Sequence, residues 1–409
     1  MGRDGRLLFA TRIVRLFAYG FLSVILVLYL VEAGLNNMQI GLLITLTLVG
    51  DTIISLALTT NADRIGRKRM LVAGAALMVF AGGLFAFTKD FLLLLLAATI
   101  GVISPSGNEV GPFLALEQAA LSQIVSDERR TYVFSWYNLS GSFATALGAL
   151  CGGGLAQFLK AQGLAPLATY RLVVVGYALL GIALALVFTR LSAGVEAPRT
   201  ASATTKLLGL HRARGIVVKL SALFSLDAFA GGFVVQSIVA YWFHIRFKVE
   251  PAVLGSIFFG ANILAGISAL TAARLASRIG LINTMVFTHI PSNLLLIAVP
   301  LMPNLPLAIG VLLLRFSISQ MDVPTRQSYT MAVVSPDERS AAAGVTGVAR
   351  TTGASLSPVF TGPMLANPLL LNLPFFLAGG LKIVYDLLLY FNFRSFSGQQ
   401  SRKSPGRVL

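Results

Sequence analysis

Ten ionisable side chains lie inside long apolar stretches of this chain: Asp51, Glu109, Glu117, Asp227, Asp322, Asp386, Arg315, Arg326, Arg350 and Lys382. A charge at the centre of a bilayer costs about 2.5 to 3.5 kcal/mol, so such groups face a cavity or a partner. Two kinds of chemistry suit them. A carboxyl whose proton affinity rises on desolvation and falls beside an arginine can take up a proton on one side and release it on the other. Glu117 and Glu109 are the first candidates, and Asp227, just before Gly231 and Gly232, is the third. Arginines bind anions through charge-assisted hydrogen bonds. Arg315, Arg326 and Arg350 fit that role, with Asp322 orienting one guanidinium. The other reading is that the charges pair with one another and fix helix packing. Asp386 and Lys382, at i and i+4, read as a local ion pair and stay outside the candidate site.

The stretches that carry these groups are long enough to be membrane helices. A bilayer core of roughly 30 Å needs about 20 apolar residues. Windows of about 19 residues give twelve spans, near 11–33, 39–60, 70–88, 91–125, 131–159, 168–190, 216–244, 251–276, 283–303, 305–334, 338–365 and 369–393. In the fourth, Ser104-Pro105-Ser106-Gly107-Asn108 and Pro112 predict a helix break that frees backbone groups at membrane depth, the mark of a transport path. In the tenth, Arg315, Asp322 and Arg326 at i, i+7 and i+11 predict one charged helix face. Asp51, alone on the second span, faces a cavity or caps a polar contact.

Composition agrees. The chain has 409 residues, 56% of them hydrophobic and 12% charged, with a mean hydropathy of +0.80, against about 25% charged in a soluble domain. The net charge of +16 would suggest nucleic acid in a soluble protein. Here the cations gather in alternate loops, as the positive-inside rule requires, and no nucleic-acid partner is expected. Arg64, Arg67, Lys68, Arg69, Arg129, Arg130, Arg274, Arg278 and Arg339 are inner; Lys89, Lys160, Arg171, Arg246 and Lys248 are outer. Both termini are placed in the cytoplasm, and the first apolar run is read as a retained span without a cleavage pattern. The three histidines have no second ligand nearby at metal spacing, Cys151 is the one cysteine, and no Walker loop is present, so no metal, cofactor or ATP use is expected. No catalytic set stands at helical spacing, so the chain is not read as an enzyme. Tyr241 and Trp242 read as an interfacial aromatic belt, while Trp136, Tyr137 and Asn138 are possible solute contacts.

The chain repeats itself. Gly41 and Arg64-Ile65-Gly66 match Gly255 and Arg278-Ile279-Gly280 at one offset, and Gln118 with Ser126-Asp127-Glu128-Arg129 matches Gln327 with Ser335-Pro336-Asp337-Glu338-Arg339 at nearly the same one. This predicts an all-α membrane protein of twelve transmembrane helices in two pseudo-symmetric six-helix bundles. The bundles are 1–190 and 216–393, joined by a cytoplasmic linker, 191–215, and followed by a basic cytoplasmic tail, 394–409. The repeat aligns the fourth and tenth spans, so Glu117 and Arg326 occupy equivalent places from which they could face each other.

Twelve spans in two parallel halves with a basic loop after the second resemble the major facilitator superfamily. The loop is similar to its signature G-x-x-x-D-x-x-G-[RK]-[RK] at Asp63, Gly66, Arg67 and Lys68, with Thr59 in place of the first glycine. The resemblance implies a cytoplasmic charge gate around Asp63, Arg64, Gly66 and Arg67, with Asp127, Glu128 or Arg129 as partners, that holds the outward-open state. The fifth span, with Gly141, Gly148, Gly152, Gly153 and Gly154, looks like the glycine-rich motif of the superfamily's proton-driven exporters, without that motif's proline. The expected function is secondary active transport of a small organic solute by alternating access, coupled to protons, with efflux by antiport preferred. The alternatives are uptake or exchange of an organic or inorganic anion, and a transporter-like receptor or scaffold without flux. The expected setting is a monomer in the lipid bilayer of the cell membrane, its partners the solute and protons.

Overall fold

The computed structural model describes residues 2–196, 213–335 and 338–402; the side chains of Asp63, 127–132, Ser135, 339–341 and 394–402 lie outside the description. The described residues form helices and no strand. In chain order the α-helices are α1 (Arg3–Ser23), α2 (Leu26–Glu32), α3 (Asn37–Ile65), α4 (Arg67–Phe87), α5 (Phe91–Ile100), α6 (Phe113–Ile124), α7 (Asp127–Ala161) and α8 (Pro166–Thr189). After the linker come α9 (Arg214–Gly232), α10 (Gln236–Phe247), α11 (Pro251–Ile279), α12 (Leu281–Ala298), α13 (Leu305–Phe316), α14 (Asp322–Ala332), α15 (Arg339–Leu356), α16 (Pro358–Ala366) and α17 (Leu373–Arg402).

Among the described residues, eight segments are long and apolar enough to cross a membrane, and α1 with α2, bent by 45°, makes a ninth. Three further spans are broken: α5 with α6, α13 with α14, and α15 with α16, which brings the count to twelve. The internal repeat reappears in the pattern of breaks, since the first and seventh spans and the fourth and tenth are each divided. It also reappears at two junctions. Gly66 between α3 and α4 and Gly280 between α11 and α12 both hold positive φ, 117° and 86°. Only glycine enters that region without a steric penalty, so each repeat turns directly from one helix to the next.

The residues divide into two compact units. The first takes Met1–Ala203, Val235–Ile263 and Pro358–Leu371; the second takes Thr204–Val234, Leu264–Ser357 and Asn372–Leu409. In the first unit the glycines of α7 admit neighbouring backbones. A Cβ on Gly148 or Gly152 would strike the carbonyls of Phe17 or Phe21 on α1, and one on Gly153 would strike that of Pro251 on α11. The glycine-rich stretch of the fifth span is thus a packing surface on two sides. Trp242 is fully buried with its ring edge-on to Phe243 and Phe247; the belt reading fails for it because these rings of its own turn and the next cover it.

In the second unit, Leu220, Phe224, Ile282, Met285, Val286, Tyr329, Tyr385, Leu389 and Phe393 form an apolar core from α9, α12, α14 and α17. At the unit's α9 end, Glu338 is fully buried and accepts the Ala213 N–H at 3.3 Å on both oxygens, meeting the positive end of the α9 dipole.

Candidate functional site

The first unit carries its charges where the fourth span breaks. Between α5 and α6 the chain leaves the helix from Gly101 to Pro112, with Gly107 and Gly111 at φ of 70° and 79°. Backbone groups freed at membrane depth must be satisfied from within. Tyr19 donates its hydroxyl to the Val110 carbonyl at 3.1 Å and Tyr177 to that of Val102 at 2.5 Å. The Gly111 N–H donates to Asp51 Oδ1 at 2.5 Å. Of the two readings for Asp51, the polar cap is what the geometry provides.

The break aims Glu109 at α1, and Glu117 follows in the second turn of α6. Arg12 NH1 donates to Glu109 Oε2 at 2.8 Å and Arg15 Nε to Glu109 Oε1 at 2.7 Å. Arg15 also clasps Glu117, NH1 to Oε1 at 2.7 Å and NH2 to Oε2 at 2.8 Å. Thr11 donates to Glu117 Oε1 at 2.7 Å and the Tyr137 hydroxyl donates to Oε2. Glu117 and Arg15 are both fully buried. Glu117 therefore accepts four hydrogen bonds, the full capacity of a carboxylate. Arg12 lies over the Tyr137 ring at 4.2 Å and donates to Asn138 at 3.2 Å. Tyr137, fully buried, serves Glu117 and is not open to solute.

Arg12 and Arg15 were not among the sequence candidates. They stand at the start of the first apolar run and read as its basic flank. Their signal was present: positions 12, 15 and 19 recur at i, i+3 and i+7, which places both arginines and Tyr19 on one face.

The second unit holds a larger cluster. Arg326 NH1 donates to Asp322 Oδ2 at 2.9 Å and to Asp227 Oδ2 at 3.1 Å. Lys382 Nζ donates to Asp227 Oδ1 at 2.5 Å. His289 Nδ1 lies 2.8 Å from Asp386 Oδ1, and its Nε2 lies 4.0 Å from Asp227 Oδ1. Asn293 donates to Asp386 Oδ2 at 3.0 Å.

Two expectations are corrected here. Arg315 does not continue one helix face with Asp322 and Arg326, because α13 ends at Phe316 and α14 starts at Asp322; the spacing rule does not cross a break. Lys382 does not pair with Asp386, since its stem reaches Asp227 on α9 while Asp386 takes the donors of α12. Glu117 and Arg326 each find their partners within their own unit: Glu117 is saturated by α1 and α7, and Arg326 is held by Asp227 and Asp322.

Arg315 and Arg350 differ from the rest of the cluster. Both are half-buried, both bury an Nε without a hydrogen-bond partner, and neither makes an ion pair among the described residues. Arg315 lies over the Phe316 ring at 4.9 Å.

Of the expected cytoplasmic gate, the side chains of Asp63, Asp127 and Arg129 lie outside the described residues, and Arg64 is exposed. Around Gly66 and Arg67 the first unit shows an anion that sequence reasoning missed. Glu196, at the start of the linker, accepts the Arg67 N–H at 2.6 Å and the Lys68 N–H at 3.3 Å. Arg67 NH1 donates to Gln123 at 2.9 Å, and Gln123 donates to the Glu196 carbonyl at 2.8 Å. A carboxylate at the first N–H groups of α4 satisfies orphan donors and the helix dipole together.

Buried charge networks on broken membrane spans of a repeated helical chain define a membrane-transport architecture. The Major Facilitator Superfamily profile matches residues 8–358, and the chain belongs to that superfamily. It is 32% identical to the uncharacterized membrane protein YJR124C of Saccharomyces cerevisiae, over 95% of this chain and 93% of that one. Its fold is similar to that of the nucleoside transporter NupG, with a TM-score of 0.74 at 16% identity, covering 96% of this chain and 100% of the other. It is also similar to a bacterial homologue of the human lysosomal transporter Spinster, in an inward-facing and unoccupied conformation, with a TM-score of 0.72 at 16% identity over 99% and 100% of the two chains.

Proposed function

We propose that this chain is a proton-coupled secondary active transporter that moves a small organic solute by alternating access, exporting it by antiport. The observation that carries the reading is Glu117, a carboxyl without exposed surface whose charge is held by Arg15. A proton on Glu117 removes the charge that Arg15 neutralises and leaves that guanidinium to Glu109 alone. An unpaired membrane charge is costly, so the network rearranges on protonation, and a rearrangement tied to a proton is what coupling requires. Glu109 shares both arginines, and Asp227 in the second unit likewise meets two cations, Arg326 and Lys382. The similarity of the fifth span to the exporter motif supports the direction. Alternating basic loops support cytoplasmic termini, and the proposed setting is a monomer in the cell membrane.

Uptake or exchange of an anion is the second reading, favoured by Arg315 and Arg350, whose Nε atoms await an acceptor. Everted vesicles with an imposed pH gradient separate the two. An exporter dissipates the gradient only when its solute is added, whereas anion exchange moves labelled anion without a matching proton flux. A receptor or scaffold without flux gives neither signal.

A further inference from the structure

We propose that His289 is a proton-binding site in its own right, whose protonation at Nε2 draws Asp227 away from Lys382. It goes beyond the carboxyl-based coupling proposed above and rests on that reading only for its transport arm.

The contacts of the ring fix its tautomer. A carboxylate at 2.8 Å from Nδ1 is an acceptor only, so Nδ1 carries a hydrogen and donates it to Asp386 Oδ1. Asn293 on the same helix donates to the other oxygen of Asp386, which fixes the carboxylate and through it the ring. In neutral histidine the remaining nitrogen, Nε2, is then the lone-pair site. It is 4.0 Å from Asp227 Oδ1, the oxygen already held by Lys382. When Nε2 takes a proton from hydronium, one N–H bond forms, an O–H bond breaks to leave water, and the ring gains a positive charge facing Asp227. Lys382 remains an ammonium and loses only its hydrogen bond.

Charge balance within the hydrogen-bonded groups favours this second state. The bonded cluster holds three carboxylates, Asp227, Asp322 and Asp386, against two permanent cations, Arg326 and Lys382. A third positive charge on His289 closes the set at zero. The groups around the ring from each neighbouring element are Asp227 on α9, Asp322 and Arg326 on α14, and Lys382, Tyr385 and Asp386 on α17. Arg315 on α13 and Arg350 on α15 act on the same carboxylates, Asp227 and Asp322, without an ion pair among the described residues, and oppose the added charge. Gly231, one turn beyond Asp227 and close to the ammonium of Lys382, has no side chain to block that group when it moves.

The full-length chain in lipid nanodiscs, labelled with nitrogen-15 in its histidine rings, tests this. Its three histidines make a small spectrum, and His289→Gln identifies one signal. The expected result is an Nδ1–H tautomer at high pH that becomes doubly protonated as the pH falls, with Asp227→Asn moving that transition, because the facing carboxylate is what favours the charged ring. A ring that keeps one state throughout, or that carries its hydrogen on Nε2 when neutral, overturns the proposal. In vesicles, His289→Gln is expected to flatten the pH dependence of solute-driven proton movement. If the unaltered chain moves no protons with solute, the transport reading fails while the ring titration stands. If it does and His289→Gln matches it at every pH, the histidine proposal fails alone.

Discussion

Arg15 on α1 holds both oxygens of Glu117 on α6, at 2.7 and 2.8 Å, with neither side chain exposed. The same guanidinium reaches Glu109 through Nε, so one residue ties both carboxyls of the broken fourth span to the first.

Removing one member of a buried pair leaves an uncompensated charge, at about 3 to 5 kcal/mol. Arg15→Ala is expected to lower the unfolding temperature of the purified protein sharply. Arg15→Met combined with Glu117→Leu is expected to be milder than either single change. Thermal unfolding across this double-mutant cycle checks the coupling; additive losses would mean that the pair is not an energetic unit.

Glu117→Gln keeps the size of the side chain and removes its charge. Solute binding is expected to persist while solute-driven proton movement disappears. Isothermal titration with the solute and vesicle proton flux report the two separately, and unchanged flux would remove Glu117 from the coupling mechanism.

Arg315→Gln and Arg350→Gln are expected to lower the affinity for a carboxylate-bearing solute by about tenfold or more each, since a charge-assisted hydrogen bond contributes about 1.5 to 3 kcal/mol. Folding should be preserved, because neither guanidinium holds a carboxylate in the cluster. A thermal-shift comparison of anionic and neutral metabolites at two pH values reads the loss; a stabilising anion whose effect survives both changes would place its site elsewhere.

Glu196→Gln weakens the acceptor at the start of α4. Caps of this kind contribute about 1 kcal/mol, so hydrogen exchange at the Arg67 and Lys68 amides should quicken by about fivefold. Unaltered exchange would show that the carboxylate adds nothing to the helix end.

Gly153 and Gly255 let α7 and α11 meet at their backbones, beside the Lys160 to Glu250 bridge of 2.9 Å. Gly153→Leu has no room there without parting the helices, and spin labels near 161 and 251 should move apart. Labels that keep their separation would show that the seam absorbs the side chain.

Local sequence determined that this chain is a membrane protein of repeated helical halves. Run length, loop charge and the spacing of Gly66 and Gly280 are properties of consecutive residues, and a bilayer reads them one span at a time. The break in the fourth span was legible for the same reason, as glycine and proline act on their own backbone. Pairing was not legible. Arg15 and Glu117 lie far apart in the chain, as do His289 and Asp386, and nothing local records which helices will adjoin. The reading of Arg315, Asp322 and Arg326 as one face assumed an unbroken helix, and that of Lys382 with Asp386 assumed that the nearest opposite charge wins. Tertiary structure decided both, because a buried charge settles on the partner that desolvates with it and completes its hydrogen bonds, and packing alone brings such partners together.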